Sequence, residues 1–130
     1  MSDIEWLERQ SIELLHAESI GEHGGLPGLR DEGLLESVLA RPRNLRAYEG
    51  VADVLALAAS YGVALAKNHA FNDGNKRIAF IATLTFAAVN GWRVEADQAE
   101  AAAMMLEVAA GGVGTDGLAA WLREHARPRR

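Results

Sequence analysis

Residues 51–91 read VADVLALAASYGVALAKNHAFNDGNKRIAFIATLTFAAVNG. Two apolar halves flank a polar centre. Val51–Lys67 and Lys76–Asn90 are dominated by Ala, Leu and other residues that favour helix, so each half predicts a largely buried helix, the second closed by Gly91 as C-cap. The break between them is abrupt: eight of the eleven residues from Lys67 to Arg77 are polar or charged. Burying such groups without partners costs about 1–3 kcal/mol each, so this loop must open on solvent or hold a ligand.

Outward from that pair, the rest of the chain also reads as helix and loop. Asp3 to Ile20 predicts an amphipathic helix with Ile4, Leu7, Leu14 and Leu15 on its apolar face. Gly21–Gly28 is a glycine-rich loop, and Gly21–Arg30 is the one stretch with room for a hairpin. Asp31 should cap a short helix, Glu32–Ala40, that Pro42 stops, and Asn44–Gly50 is a connection. Trp92–Val94 suits a short extended piece, Asp97 a cap for Gln98–Ala110, and Asp116–Ala126 a last helix with Pro128 beyond it. The expected fold class is all-α: a compact helical bundle of about six helices, one domain over residues 1–130, with almost no β structure.

Bulk properties exclude several classes. The 130 residues are 49% hydrophobic and 24% charged, enough for one core without disulfides or a structural metal. There is no cysteine, hence no thiol nucleophile and no thiolate metal site. A formal net charge of −5 argues against direct DNA binding. The arginine clusters 41, 43, 46 and 127, 129, 130 read as solvated loop and tail. The acidic start MSDIEWLERQ has no apolar run of a secretory signal. The longest uncharged runs, Val54–Ala66 and Ile78–Val89, fall short of the ~18 residues of a membrane span, so no membrane is expected and a cytoplasmic location is.

The polar loop carries the chemistry. The chain has eleven arginines and only two lysines, Lys67 and Lys76, both flanking the loop, and three of its five asparagines, Asn68, Asn72 and Asn75, lie there too. A helix starting near Asn75 presents unpaired N–H groups that attract an anion. Gly74 permits close approach to the backbone. Lys76 and Arg77 add positive charge at the same end, and Arg77 can grip a phosphate with two parallel hydrogen bonds. Asp73 would repel that phosphate unless Mg²⁺ bridges the two. His69 suits a general base on an attacking hydroxyl. Phe71 would anchor the loop in the core. Each residue has a plainer use: His69 as a structural histidine, Asp73 as an N-cap, Gly74 as a turn, Arg77 as partner of a surface carboxylate. Only the phosphate-site reading uses them all.

His69-Ala-Phe-Asn-Asp-Gly-Asn-Lys-Arg77 resembles the Fic/Doc signature, H-x-F-x-[DE]-G-N-[GK]-R, with its seven defined positions filled. Gly24-Gly-Leu-Pro-Gly-Leu-Arg-Asp-Glu-Gly-Leu-Leu-Glu-Ser with Ala40-Arg-Pro resembles the block upstream of that motif in the Doc branch, and Phe86 through Asn90-Gly91 the block after it. The resemblance implies a helical Fic/Doc domain in which His69, Asp73, Lys76 and Arg77 are catalytic. It implies that Asp73 binds Mg²⁺ and that Gly74, Asn75, Lys76 and Arg77 hold the phosphates of ATP. Members that transfer AMP usually have glycine in place of Lys76 and a second arginine in place of Phe80. Lys76 and Phe80 therefore resemble the Doc (death-on-curing) branch, whose members transfer a phosphate to elongation factor Tu and stop protein synthesis. Ala70 departs from the proline common at that position. No S/T-x-x-x-E-[GN] inhibitory helix is found, since Ala64 stands where Ser60 would need its glutamate. Control would then come from a Phd-like antitoxin of a type II toxin–antitoxin system, docking on the exposed first helix and the Gly21–Arg30 loop. Two other readings stay open: a protein AMP or nucleotidyl transferase using the same pocket, and a catalytically silent binding module.

Overall fold

The computed structural model describes residues 3–129. Its elements are helices α1 (Arg9–His23), α2 (Glu32–Glu49), α3 (Val54–Asn68) and α4 (Asn75–Val89), strand β1 (Trp92–Val94), helices α5 (Gln98–Ala110) and α6 (Thr115–His125), and strand β2 (Ala126–Pro128). The fold is all-α with six helices among the described residues, as expected. Helix α3 is central: α4, α6, α2 and α5 all pack on it. Its composition explains this, because Leu55, Leu57, Ala58, Ala59, Ser60, Tyr61, Gly62, Leu65 and Ala66 are all buried, nearly all round the helix. The α3–α4 crossing is close enough that a methyl group on Gly62 would run into Thr83 Oγ1. Thr83 satisfies that hydroxyl within its own helix, on Ala79 O at 2.7 Å.

Asp31 and Asp97 cap α2 and α5 as expected, accepting from Leu34 N at 3.0 Å and from Ala99 N at 3.2 Å. Four expectations need correction. The first helix begins at Arg9, not Asp3. The side-chain amide of Asn90 accepts from Glu5 N at 2.8 Å and donates to Glu5 O at 2.9 Å. That clasp mimics a neighbouring strand and keeps the segment extended, while Leu7 is buried with its N–H on the hydroxyl of Tyr61.

The buried stripe of α1 is Ile12, His16, Ser19 and Ile20, whereas Leu14 is 64% exposed. Pro42 does not stop α2. It lies inside the helix and is buried on the same stripe as Leu35 and Val38, so packing offsets the roughly 3 kcal/mol of an interior proline. Arg41, Arg43 and Arg46 therefore sit on a helix, and Arg43 lies over the ring of Trp6, 5.3 Å from its centroid. The last helix ends at His125, and residues 126–128 pair antiparallel with Trp92–Val94. Arg130 of the basic tail lies outside the described residues, as do Met1 and Ser2 at the other end. No helix among the described residues is long and apolar enough to cross a membrane.

Candidate functional site

The loop between α3 and α4 alternates sharply in exposure. Ala70, Phe71 and Asn75 are buried, while His69, Asn72, Asp73, Lys76 and Arg77 are exposed. Phe71 does anchor the loop, at 2% exposure. Asn75 locks it from below: its Oδ1 accepts from Phe71 N at 3.1 Å and its Nδ2 donates to Phe71 O at 3.0 Å. Both ends of that side chain are thus engaged with the backbone of Phe71, and the backbone N–H of Asn75 stays open to a ligand.

The segment before α2 clamps the loop from outside. In place of a hairpin within Gly21–Arg30 there is a single antiparallel bridge, Leu29 to Phe71. Asn72 N donates to Gly28 O at 3.0 Å and Asn72 Nδ2 to Pro27 O at 3.1 Å. Gly25 is required here. Its φ is +117°, and a Cβ on it would lie 2.9 Å from Asp73 Oδ2.

The Asp73 carboxylate is held from two sides, accepting from Leu26 N at 3.1 Å and from Gly74 N at 2.9 Å. These N–H groups, Leu26 first and Gly74 second, hold its carboxyl below the ordinary range. The positive charge of Arg77 and the proximity of His16 work in the same direction. Asp73 is therefore a carboxylate at neutral pH. Each of its oxygens has one N–H partner and lone pairs to spare. Among the described residues no three His, Asp or Glu side chains gather as a metal-binding group. A divalent cation here would take Asp73 as its protein ligand, and an exposed carboxylate with lone pairs to spare fits Mg²⁺.

Gly74, with φ +71°, is the N-cap of α4, and no side chain caps the helix. Its first turn closes with Ile78 N on Gly74 O at 3.0 Å. The N–H groups of Asn75, Lys76 and Arg77 are left with no acceptor among the described residues, at the positive end of the helix dipole. A cleft of about 580 Å³ opens beside them. His69, Asn72, Asp73, Gly74, Asn75, Lys76 and Arg77 form its polar wall, and Ala66 with Leu106, Ala109 and Ala110 of α5 forms the apolar one. The structure thus brings His69, Asp73, Gly74, Asn75, Lys76 and Arg77 to one cleft, with Phe71 beneath. Lys67 is exposed on the last turn of α3 and does not line it.

Two side chains that support the loop were missed. His16 is 2% exposed, stacks on Phe71 with centroids 3.9 Å apart, and places Nε2 2.8 Å from Asp73 O. Its signal was its place four residues after Ile12 and four before Ile20, on the buried stripe. Arg30 donates from Nε to His69 O at 2.6 Å. Nothing local in sequence points to that bond.

An uncapped helix start carrying Lys76 and Arg77, beside an exposed carboxylate and an exposed histidine, is a geometry that can receive an anion. The chain matches the Fic/DOC family over residues 6–87 and belongs to it. It is 38% identical over 109 residues to Protein kinase doc of Escherichia phage P1, covering 84% of this chain and 86% of the phage protein. It is 40% identical over 124 residues to Toxin Doc of Mycolicibacterium smegmatis, covering 91% of each. The family match includes every position from His69 to Arg77 and the segment that clamps them.

Proposed function

We propose that the chain is a Doc-type toxin that uses Mg²⁺ and ATP to phosphorylate a hydroxyl of a translation factor, elongation factor Tu by resemblance, and thereby stops protein synthesis. The observation that carries this reading is the common cleft of His69, Asp73 and the uncapped start of α4. His69 takes the proton from the target hydroxyl. The freed oxygen attacks the terminal phosphorus, the bond to the bridging oxygen breaks, and ADP leaves with that oxygen. Arg77, Lys76 and the N–H groups of Asn75, Lys76 and Arg77 orient the phosphates and offset charge as it shifts to the leaving group. Asp73 is the residue that would hold Mg²⁺, which when bound would offset the negative charge of the phosphates.

Phe80 favours phosphate transfer over AMP transfer. It is partly buried against the core, with its ring edge-on to Trp121 at 6.4 Å, so the turn after Arg77 offers no second arginine. A relative carrying the name protein kinase supports the same choice. A relative named toxin supports control by an antitoxin, Phd-like by resemblance. The outward face of α1 suits such a partner, because exposed Leu14 sits there in a shallow groove with Arg9, Gln10, Glu13 and Ala17.

The test is to incubate the protein with elongation factor Tu, Mg²⁺ and ATP and weigh the target. One added phosphate, abolished by His69→Ala, is expected. Addition of AMP would reverse the assigned nucleotide orientation. Toxicity that survives His69→Ala would point to a binding module instead.

A further inference from the structure

Helix α3 ends in an unusual way. Its C-cap is His69, with φ +55° and ψ +49°, the one non-glycine residue with positive φ among those described. Helices often end in this left-handed conformation, but the residue there is usually glycine or asparagine, because a larger side chain crowds the following carbonyl. The strain must be held by the surroundings. Arg30 faces that turn. Its Nε–H donates to His69 O at 2.6 Å, and Nη2 lies 3.4 Å from Asn68 O. The backbone N–H groups of Arg30 and Asp31 both reach Ala70 O, at 2.8 and 3.0 Å. Three consecutive carbonyls, of Asn68, Asn68's successor His69, and Ala70, thus turn toward Arg30 and its neighbour. The guanidinium has no carboxylate partner within 4 Å among the described residues, although it is a cation on an acidic protein.

We propose that Arg30 is a positioning residue for His69: its guanidinium holds the end of α3 in the left-handed turn that aims the imidazole into the cleft. This rests on the reading of His69 as the base. Arg30 does not line the cleft, so it acts on the reaction only through the His69 backbone. A cation at a helix C-terminus is favoured by the dipole, and charge strengthens each bond to a carbonyl. Fixed fork geometry lets one guanidinium address two successive carbonyls, which a lysine ammonium cannot do in the same way. Without the fork, His69 is free to relax toward a right-handed conformation, and its ring then leaves the cleft.

The experiment compares Arg30→Ala and Arg30→Lys with the unaltered full chain by two readouts. The first is kcat and KM for ATP in phosphate transfer. The second is the ¹³C shifts of His69 Cα and Cβ in histidine-labelled protein, identified with His69→Ala. Arg30→Ala should lower kcat by on the order of 10²-fold, the cost of a small misplacement, with KM for ATP changed less than about twofold. The His69 shifts should move while those of His16, His23 and His125 stay. Arg30→Lys should fall between. If Arg30→Ala does not fold, Arg30→Lys decides by the same measures. Unmoved His69 shifts overturn the proposal, and so does moved His69 with unchanged kcat. If the unaltered chain transfers no phosphate, the phosphotransferase reading fails by itself and the ¹³C shifts alone decide the role of Arg30.

Discussion

The imidazole of His16 lies nearly parallel to the ring of Phe71, 16° apart in plane, and its Nε2 reaches the backbone oxygen of Asp73 at 2.8 Å. A carbonyl only accepts, so Nε2 carries the proton in this arrangement. One side chain from α1 thus touches both the anchor of the loop and its exposed carboxylate residue. His16→Ala removes a buried ring and a donor together and should cost about 2–5 kcal/mol, read as a lower midpoint in urea. His16→Gln can keep a donor at similar reach and should recover part of the loss. Equal midpoints for His16→Ala and the unaltered chain would contradict this packing.

Asp73 is exposed, yet held by two N–H groups. Asp73→Asn keeps the shape and removes the charge. In phosphate transfer it should raise the Mg²⁺ concentration needed for half-maximal rate by at least the ~10–100-fold that loss of an outer-shell partner costs a metal site. An unchanged Mg²⁺ requirement would remove Asp73 from the metal.

Gly62 faces Thr83 across a close approach of α3 and α4. Ala is the better helix former, so on propensity alone Gly62→Ala should stabilise. Overpacking wins here: the variant should lose about 1–3 kcal/mol, seen as a lower thermal midpoint. The double change Gly62→Ala with Thr83→Ala should restore part of it.

His125 sets a pH dependence. Its pKa is raised, first by Nδ1 on the Trp121 carbonyl at 2.8 Å, opposed by burial, and then by Glu100 at 3.2 Å from Nε2. A folded-state pKa above the unfolded value means that the charged form is favoured by folding. Its contribution is therefore full below the ordinary histidine pKa and lost as pH rises through the raised one. Thermal midpoints of the unaltered chain and His125→Gln should differ most in mild acid and converge above neutrality. A gap that widens with rising pH would reverse the assignment.

Much of this was legible in the sequence for a local reason. Asp31 and Asp97 sit next to the helices they cap, and the contrast between Val51–Lys67 and its polar sequel lies within a few turns of chain. What escaped depends on distant partners. The extended start of the chain needs Asn90, 85 positions from Glu5. Its apolar side chain predicts Leu14 inward, but the core side of α1 goes to His16 and Ser19, whose neighbours come from elsewhere. Pro42 carries its usual local cost and is overruled by burial. In the site, the exposed residues announced themselves by type. Their supports, His16 and Arg30, did not, since an ordinary helix histidine and an ordinary loop arginine look the same before the fold brings them to the loop. The engagement of the Asn75 side chain with Phe71 was equally hidden, although the residue itself was singled out.

The bonds that shape the loop from His16, Leu26, Pro27 and Arg30 join residues 39 to 57 positions apart. The α3–α4 hairpin needs no such reach and can form from near neighbours. Core and chemistry thus differ in reach: the two central helices meet through near neighbours, whereas the site is complete only with the N-terminal third docked on it. Without that third His69 lacks Arg30, and Asp73 keeps only the N–H of Gly74. Peeling it away would strip the site of His16, Leu26 and Arg30 and, with α2, uncover one side of α3.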